Sequence, residues 1–511
     1  MKNKKIYHLI IALVLLALAA AEGLLTYQVL TLNMLPGNYL IFFIAALVLV
    51  PLFVGLLLLP KRPNKYQASP KKGIVRRIIG FVLAALVIAG SLVASQALFL
   101  VNRTISAVTS TPTVSDIVDV YVLADDPAQS IEDAAGYTFA ITDAYDLENT
   151  EAAVAGIGEL LGTTLDTRTF DSVFSMLDAL YSQEVDALII NSAYAAVLEE
   201  SEGYEDFATR TRLLYEYIIT VPAPTEPQDA TEPTPEETPV NTGVEAPFVI
   251  YLSGSDTRSS VLARSRSDVN ILAAVNPQTK QILLLNTPRD CYVANPAGGG
   301  AKDKLTHCGL YGVSCSMEAL SNLYSEEIKY YAQINFTGFQ TLIDAVGGVD
   351  VYSEKAFYST GCSFTKGMNH LNGTEALVFA RERYSFASGD NARGKNQMKI
   401  ITAVINKMCS GTTLVTNYAE ILRSLEGMFT TNMTQDEIST LMKMQLSDMA
   451  SWNVQSYAIT GTGASATNYS MPKGVYSYVM YPNQNTVDLA TELLDRVMAG
   501  EILTSEDLNL N

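Results

Sequence analysis

Phe248-Val-Ile-Tyr-Leu-Ser-Gly-Ser-Asp256-Thr-Arg258 reads as an apolar strand that opens into a loop of small residues carrying an acid and a base. Next comes Arg264-Ser-Arg266-Ser-Asp268, which leads into a second strand at 269–275. A third strand, 281–285, runs out into Asn286-Thr-Pro-Arg289-Asp290. Three strand ends therefore present Asp and Arg side chains, and α/β folds place their ligands beyond strand ends. Any one of these pairs suits a surface ion pair. Together, in a region otherwise acidic, they predict a site.

A second cluster follows downstream, from Asn369-His-Leu-Asn-Gly373 through Ala380-Arg381-Glu-Arg383 to Gly389-Asp390-Asn-Ala-Arg393-Gly-Lys395-Asn396-Gln397. Asn372-Gly373 reads as a turn and 374–380 as helix. A new helix is expected from about Ala392, with Met398, Ile401, Val404, Ile405 and Met408 as its core stripe at i, i+3, i+4 spacing. Arg393 and Gln397 then share a face in its first turns. A cation there opposes the helix dipole and needs an anionic partner, so the pair marks an anion site. Arginine suits that task, because its planar fork binds phosphate oxygens bidentately and stays charged. Several arginines would serve a pyrophosphate. Asp256 and Asp268 are surplus acids for a bare anion site, and make sense with Mg²⁺ held by one or two carboxylates plus substrate phosphates.

Outward from this region the composition shifts twice. Residues 221–247 contain seven of the nineteen prolines, six acids and no Lys or Arg. Such a stretch builds no core and reads as an extended spacer. Before it, 115–220 alternates β-branched runs (118–123, 138–142, 187–190) with helical segments that Thr150 and Asp171 are placed to cap. This rhythm predicts a parallel or mixed sheet, and 170–192 resembles the second lobe of bacterial solute-binding proteins.

The chain opens with three apolar runs: 7–30, which includes Glu22; 39–59, which includes Pro51; and the charge-free 78–101. Each is long enough to cross ~30 Å of hydrocarbon. Ala19-Ala-Ala21 in the first run would also suit signal-peptide cleavage. Residues 1–77 carry net +9 and the rest −28, within a total of −19. Lys2, Lys4 and Lys5 and the basic stretch 61–77 therefore belong on the cytoplasmic side, and 102–511 lies outside. The acidic body argues against nucleic acid as a partner. Five cysteines, three histidines and no CxxC pair leave little for a Cys/His metal centre. All five cysteines fall in the outer part, where at least one disulfide is expected, with Cys308–Cys315 first and Cys291–Cys308 second.

Gly254-Ser-Asp256, Arg266-Ser-Asp268, Pro288-Arg289-Asp290, Lys304-Leu, Asp344-Ala-Val-Gly-Gly-Val-Asp350 and the ordered run from His370 to Gln397 resemble the LytR–CpsA–Psr family over about 248–410. One position departs from the pattern: the family's usual Arg before the final Gln is Asn396. Members are membrane-anchored enzymes of Gram-positive bacteria that attach anionic glycopolymers, teichoic acids or capsular polysaccharide, to peptidoglycan. The resemblance implies a catalytic α/β domain (248–500) around a mixed sheet; residues 102–247 lie outside the family's domain, so the α/β chain adds to it a three-helix membrane region (1–103), an accessory α/β domain (115–220) and a linker (221–247).

It further implies an undecaprenyl-pyrophosphate-linked donor, peptidoglycan as acceptor, and membrane lipid as a third partner. Arg258, Arg266, Arg289, Arg381, Arg383, Arg393 and Gln397 would bind the pyrophosphate, and Asp256 and Asp268 would hold Mg²⁺. Arg289, Arg381, Arg383 and Asp390 would be catalytic, with Asp390 as base and Asp290 as its rival. Hydrolysis of the same lipid pyrophosphate and a non-catalytic lipid receptor are the competing readings. His307, His370, Trp452 and 344–350 read as scaffold.

Overall fold

Each apolar run forms one continuous helix in the computed structural model of the chain: α1 (Lys2–Leu32), α2 (Gly37–Leu58) and α3 (Pro70–Thr109). The structure describes residues 2–59, 70–109, 113–143, 146–199, 201, 203–222, 243–256, 262–386, 389–410, 421, 424–471 and 475–508. Arg258 and most of the Pro-rich spacer lie outside the described residues. All three helices are long and apolar enough to cross a membrane, over 5–32, 37–58 and 74–106. Glu22 is buried within the bundle.

Strand β1 (Thr113–Leu123) follows α3 and enters a five-stranded sheet with β2 (Thr138–Thr142), β3 (Asp166–Phe170), β4 (Ala187–Asn191) and β5 (Thr211–Pro222), in the order β3-β2-β4-β1-β5. β2 runs parallel to β3 and β4, while β1 runs antiparallel to β4 and β5, so the sheet is mixed. Two helix starts differ from expectation. α4 (Leu147–Leu161) begins directly after Asp146, and Thr150 lies inside it with its hydroxyl donating back to the Asp146 carbonyl. α5 (Val173–Tyr181) is capped by Ser172, whose side chain accepts from the Ser175 N–H. Asp171 instead accepts from the Ser175 hydroxyl, so its capping role passes to its neighbour.

The C-terminal body is built on six strands: β6 (Phe248–Ser255), β7 (Ser267–Asn276), β8 (Gln281–Asn286), β9 (Tyr330–Asn335), β10 (Phe429–Thr431) and β11 (Asn453–Ala458), in the order β10-β9-β6-β7-β8-β11. β6 pairs antiparallel with β7, and β7 with β8. The β9–β6 and β11–β8 pairs are parallel. Helices α6 (Val313–Tyr324) and α11 (Gln484–Met498) cover one face, with Tyr251, Leu283, Leu320 and Leu493 in that core. On the other face lie α7 (Phe336–Ala345), α8 (Gly373–Arg381) and α9 (Asp390–Cys409).

Asn372 does not merely turn the chain. It caps α8 in a reciprocal box with Glu375, which satisfies two end-of-helix N–H groups at once. α9 starts at Asp390, ahead of Ala392, because Gly389 takes a left-handed φ of 51° that an L side chain resists. As expected, the helix before 344–350 closes at Gly347-Gly348, both at positive φ, ahead of the strand Val349–Ser353.

Helix α10 (Gln435–Asp448) seats this body on the N-terminal helix bundle. Ser439 Oγ donates to the Leu32 carbonyl (3.1 Å), Lys443 Nζ to Asn33 Oδ1 (2.7 Å) and Gln435 Nε2 to Asn102 Oδ1 (2.8 Å). The expected disulfide is not formed. Cys291, Cys308, Cys315, Cys362 and Cys409 are all free. Cys308 and Cys315 share a hydrogen bond, and the Cys315 thiol donates to Asn295 Oδ1 (3.3 Å).

Candidate functional site

The antiparallel order of β6, β7 and β8 brings the end of β6, the start of β7 and the end of β8 to one edge of the sheet. Asp256, Arg266 with Asp268, and Arg289 with Asp290 therefore meet there. Arg266 grips Asp256 Oδ2 from both Nε (3.1 Å) and Nη2 (2.8 Å). Arg289 Nη1 lies 2.9 Å from Asp268 Oδ1, and Lys304 Nζ lies 3.4 Å from Asp290 Oδ1. The first turn of α9 arrives at the same edge. Arg393 Nη2 is 3.1 Å from Asp390 Oδ1, which gives this cation at a helix start the anionic partner it needs.

Arg266, Arg289, Arg393 and Gln397 are each 7% exposed, so the cluster is largely withdrawn from water. Charges in such a place interact far more strongly than on a surface. Burial alone pushes the Asp268 carboxyl up, but the Arg289, Arg393 and Arg266 guanidiniums overcome it and hold Asp268 well below the usual carboxylate range. Asp256 goes the other way: burial and the neighbouring Asp268 raise it against Arg266. Asp390 is also raised, by burial first and then by Asp290 and Asp268, against Arg393 and Arg289. One carboxylate is thus locked ionised while two beside it are easier to protonate.

Behind the cluster lies a cavity of ≈ 210 Å³. Its mouth carries Asp268, Asn335, Arg381, Arg393 and Gln397. Its walls are Leu252, Val269, Phe336, Phe339, Leu342, Leu377, Ile400, Ile401, Val404, Ile405 and Phe429. Part of the stripe expected to be core is therefore cavity wall: Met398 is buried in packing, but Ile401, Val404 and Ile405 face the space. Periodicity shows which face of a helix is apolar, and nothing in it separates a filled core from an empty one. The aromatic wall from Phe336, Phe339 and Phe429 was not singled out in the sequence for the same reason.

Arg381 lies over the Phe336 ring at 4.6 Å, at the cavity mouth. Arg383 stands apart from the acids: its Nη2 donates to Tyr384 Oη (2.6 Å) and its guanidinium stacks on that ring. Asn396 is buried and donates to the Phe379 carbonyl (3.3 Å), tying α9 to α8. His307 pairs with buried Asp303 (2.7 Å), the residue before Lys304, and His370 pairs with Asp350 (2.8 Å) on the surface. Trp452 is half-buried and donates to Gln445.

A model of the LytR_cpsA_psr family matches residues 218–492, more than half of the chain. The chain belongs to the LytR_cpsA_psr family. It is 36% identical over 204 residues to the polyisoprenyl-teichoic acid–peptidoglycan teichoic acid transferase TagU of Enterococcus faecalis, covering 40% of this chain and 67% of that protein. It is 33% identical over 248 residues to the protein of the same name from Bacillus cereus, covering 48% and 78%. Among solved structures, B. subtilis TagV is 26% identical, with a TM-score of 0.43 over 51% of this chain and 99% of that one. The matched span in this LytR_cpsA_psr member contains every arginine and acid of the cluster described above.

Proposed function

We propose that the chain is a membrane-anchored phosphotransferase that moves an anionic glycopolymer from undecaprenyl pyrophosphate to peptidoglycan, outside the cytoplasm. The relatives' names point to teichoic acid as that polymer. One observation carries the reading. A withdrawn arginine–aspartate cluster opens directly onto an apolar cavity, which matches the two parts of a polyprenyl pyrophosphate where they join.

In this reading the prenyl chain enters between α7, α8 and α9. Arg266, Arg289, Arg381, Arg393 and Gln397 hold the pyrophosphate, and Arg383 would have to leave Tyr384 to join them. The acceptor hydroxyl oxygen attacks the phosphorus that bears the glycan. The P–O bond to the lipid phosphate breaks, polyprenyl phosphate leaves with the electron pair, and Asp390 takes the hydroxyl proton. The raised Asp390 carboxyl suits a base that must keep the proton it receives. The guanidiniums stabilise charge on the transferring and leaving phosphates, the dominant contribution in phosphoryl transfer.

Asp256 and Asp268 fit a hard divalent cation, because they set two partly exposed carboxylates at adjoining strand ends beside the proposed phosphate-binding arginines. Mg²⁺ bound there would neutralise phosphate charge. The three helices would span the membrane as a multi-pass anchor, with the basic N-terminus and 61–77 inside and 102–511 outside.

The test is to incubate the full chain in nanodiscs with lipid-linked glycopolymer, Mg²⁺ and peptidoglycan oligomers. A covalent conjugate is expected. Free glycan phosphate without conjugate would favour hydrolysis, and binding without turnover would favour a receptor. A cysteine introduced into 223–242 should react with an impermeant thiol reagent on intact protoplasts.

A further inference from the structure

The five-stranded accessory sheet reaches the segment that leads into the catalytic cluster through the start of β1. At the start of β1 the Ser115 N–H donates to the Leu262 carbonyl (3.3 Å), and the Ser115 carbonyl accepts from the Arg264 N–H (3.0 Å). This forms a parallel bridge between Ser115 and Ala263. The next residue, Asp116, is 2% exposed, and its Oδ1 lies 3.5 Å from Arg264 Nε. Its Oδ2 accepts from Asn149 Nδ2 (3.0 Å), which also reaches Asp146 Oδ1 (2.7 Å). Asn191 Nδ2 closes the network on Asp146 Oδ2 (2.5 Å).

Arg264 is the cation of this network, yet it belongs to the other body. Burial raises both Asp116 and Asp146, and Arg264 opposes the rise at each. A carboxylate this buried is costly without a counter-charge, so the accessory sheet has a strong reason to keep Arg264 in place.

The same segment carries the site. Two residues beyond Arg264 stands Arg266, which grips Asp256, and two further is Asp268, which pairs with Arg289. Between them Ser265 Oγ bonds Ser255 Oγ (2.6 Å). Arg264 is therefore held by the accessory sheet, Leu262 by both Ser115 and the Gly427 carbonyl (2.7 Å), and 265–268 by the catalytic sheet. At ~3.3–3.6 Å per residue, two residues leave little slack to absorb a displacement.

We propose that Asp116 is a positioning residue of the transfer site, acting through Arg264 to fix the segment that carries Arg266 and Asp268. The accessory domain is thus a working part of the catalytic unit. The effect on rate rests on the transferase reading above, but the clamp itself can be read without it.

The experiment compares wild type, Asp116→Asn, Arg264→Gln and the double variant as full chains in nanodiscs, with Arg264→Lys as the conservative partner and Arg266→Ala as a control. Two quantities are measured on each folded preparation: hydrogen exchange in peptides covering 262–268 and 117–122, and kcat/KM for glycan transfer. Each neutral single variant should speed exchange in 262–268 while 117–122 stays protected. Each should lower kcat/KM about tenfold, the equivalent of ~1.4 kcal/mol. The double variant should be no worse than either single, because one interaction is lost once. Arg264→Lys should recover most of the rate. If Asp116→Asn does not fold, the Arg264→Gln and Arg264→Lys pair decides.

Unchanged exchange in 262–268 overturns the clamp. So do wild-type kcat/KM in folded Asp116→Asn, or single effects that multiply in the double variant. If Arg266→Ala keeps full transfer, the transferase site is misassigned, and the exchange result alone then decides the clamp.

Discussion

Arg289→Gln is the most informative change to the cluster, because the proposed function gives Arg289 a second task beside its place in the fold. It pairs with Asp268 at 2.9 Å, and in the proposed reaction it would also bind the pyrophosphate. Breaking a buried pair from one side typically costs ~3–5 kcal/mol. Here the lower end is expected, since Arg393 and Arg266 still face Asp268. The pH dependence follows from the depressed Asp268 carboxyl. Its stabilising contribution is complete above the ordinary carboxylate range, near ~4, and is lost as pH falls through the depressed value. The stability gap between wild type and Arg289→Gln should therefore be widest near neutrality and close in acid.

Losing a charge-assisted phosphate contact in a dry site costs a further ~2–5 kcal/mol of transition-state stabilisation, or at least ~30-fold in transfer rate. The double variant Asp268→Asn/Arg289→Gln separates the two tasks. With both charges gone and the shapes kept, thermal stability should return most of the way, because no buried carboxylate is left unpaired. Transfer should not return. Thermal unfolding and conjugate formation are read on the same preparations. Recovery of transfer together with stability would mean that Arg289 serves the fold alone, and the site assignment would fail.

Three further outcomes are expected. Val404→Trp or Ile401→Trp should fill the cavity, raising KM for a long-chain prenyl donor by at least ~10-fold while a short-chain, water-soluble donor is turned over nearly as before; equal loss on both donors would put the lipid elsewhere. Gly309→Ala would set a methyl 2.6 Å from the Ser265 carbonyl oxygen and 2.7 Å from the Ser267 nitrogen, backbone atoms that cannot rotate away, so it should cost ~1–3 kcal/mol of stability by calorimetry and slow transfer through Arg266. Asp119 in β1 is pushed up to about 7 by burial, with Glu216 adding to the rise and the Tyr121 hydroxyl opposing it. Its protonated form is favoured in the folded chain, so stability falls as pH rises from the ordinary carboxylate value to about 7, and Asp119→Asn should raise the Tm at pH 8 but leave it unchanged at pH 4.

The two halves of the site differed in how far they could be read from the chain. Arg266 and Arg289 stand in loops and Asp268 at the very start of β7, beside strongly apolar strand interiors where a charged residue has no place in the packing, so their chemistry shows in one dimension. Arg393 was readable for a related reason: a cation in the first turn of a helix is unfavourable without a partner, and Asp390 supplies it at 3.1 Å. Arg383 carries the same chemistry but lies on Tyr384, because the side chain's length lets it choose among nearby partners. Residue type alone does not fix that choice. The helix starts at Leu147 and Val173 show a similar limit, since several neighbouring Asp, Ser and Thr side chains could each satisfy the first N–H groups, and the backbone geometry selects one.

The cavity is the harder case, and its illegibility has a physical cause. Ile400, Ile401, Val404 and Ile405 are apolar at helical spacing whether they touch a neighbour or leave room for a lipid. What keeps the space open is distributed over distant segments. α8 is drawn toward α9 by the Asn396 contact to Phe379, α7 follows β9, and Phe429 arrives from the far edge of the sheet. An apolar helix face that remains partly unfilled forfeits packing attraction, so it persists only where surrounding elements are held apart by their own contacts. Here the charged cluster helps do so, because Arg393 in the first turn of α9 faces Asp268 at the start of β7. The residues that were legible as chemistry thus also set the position of the wall that was not.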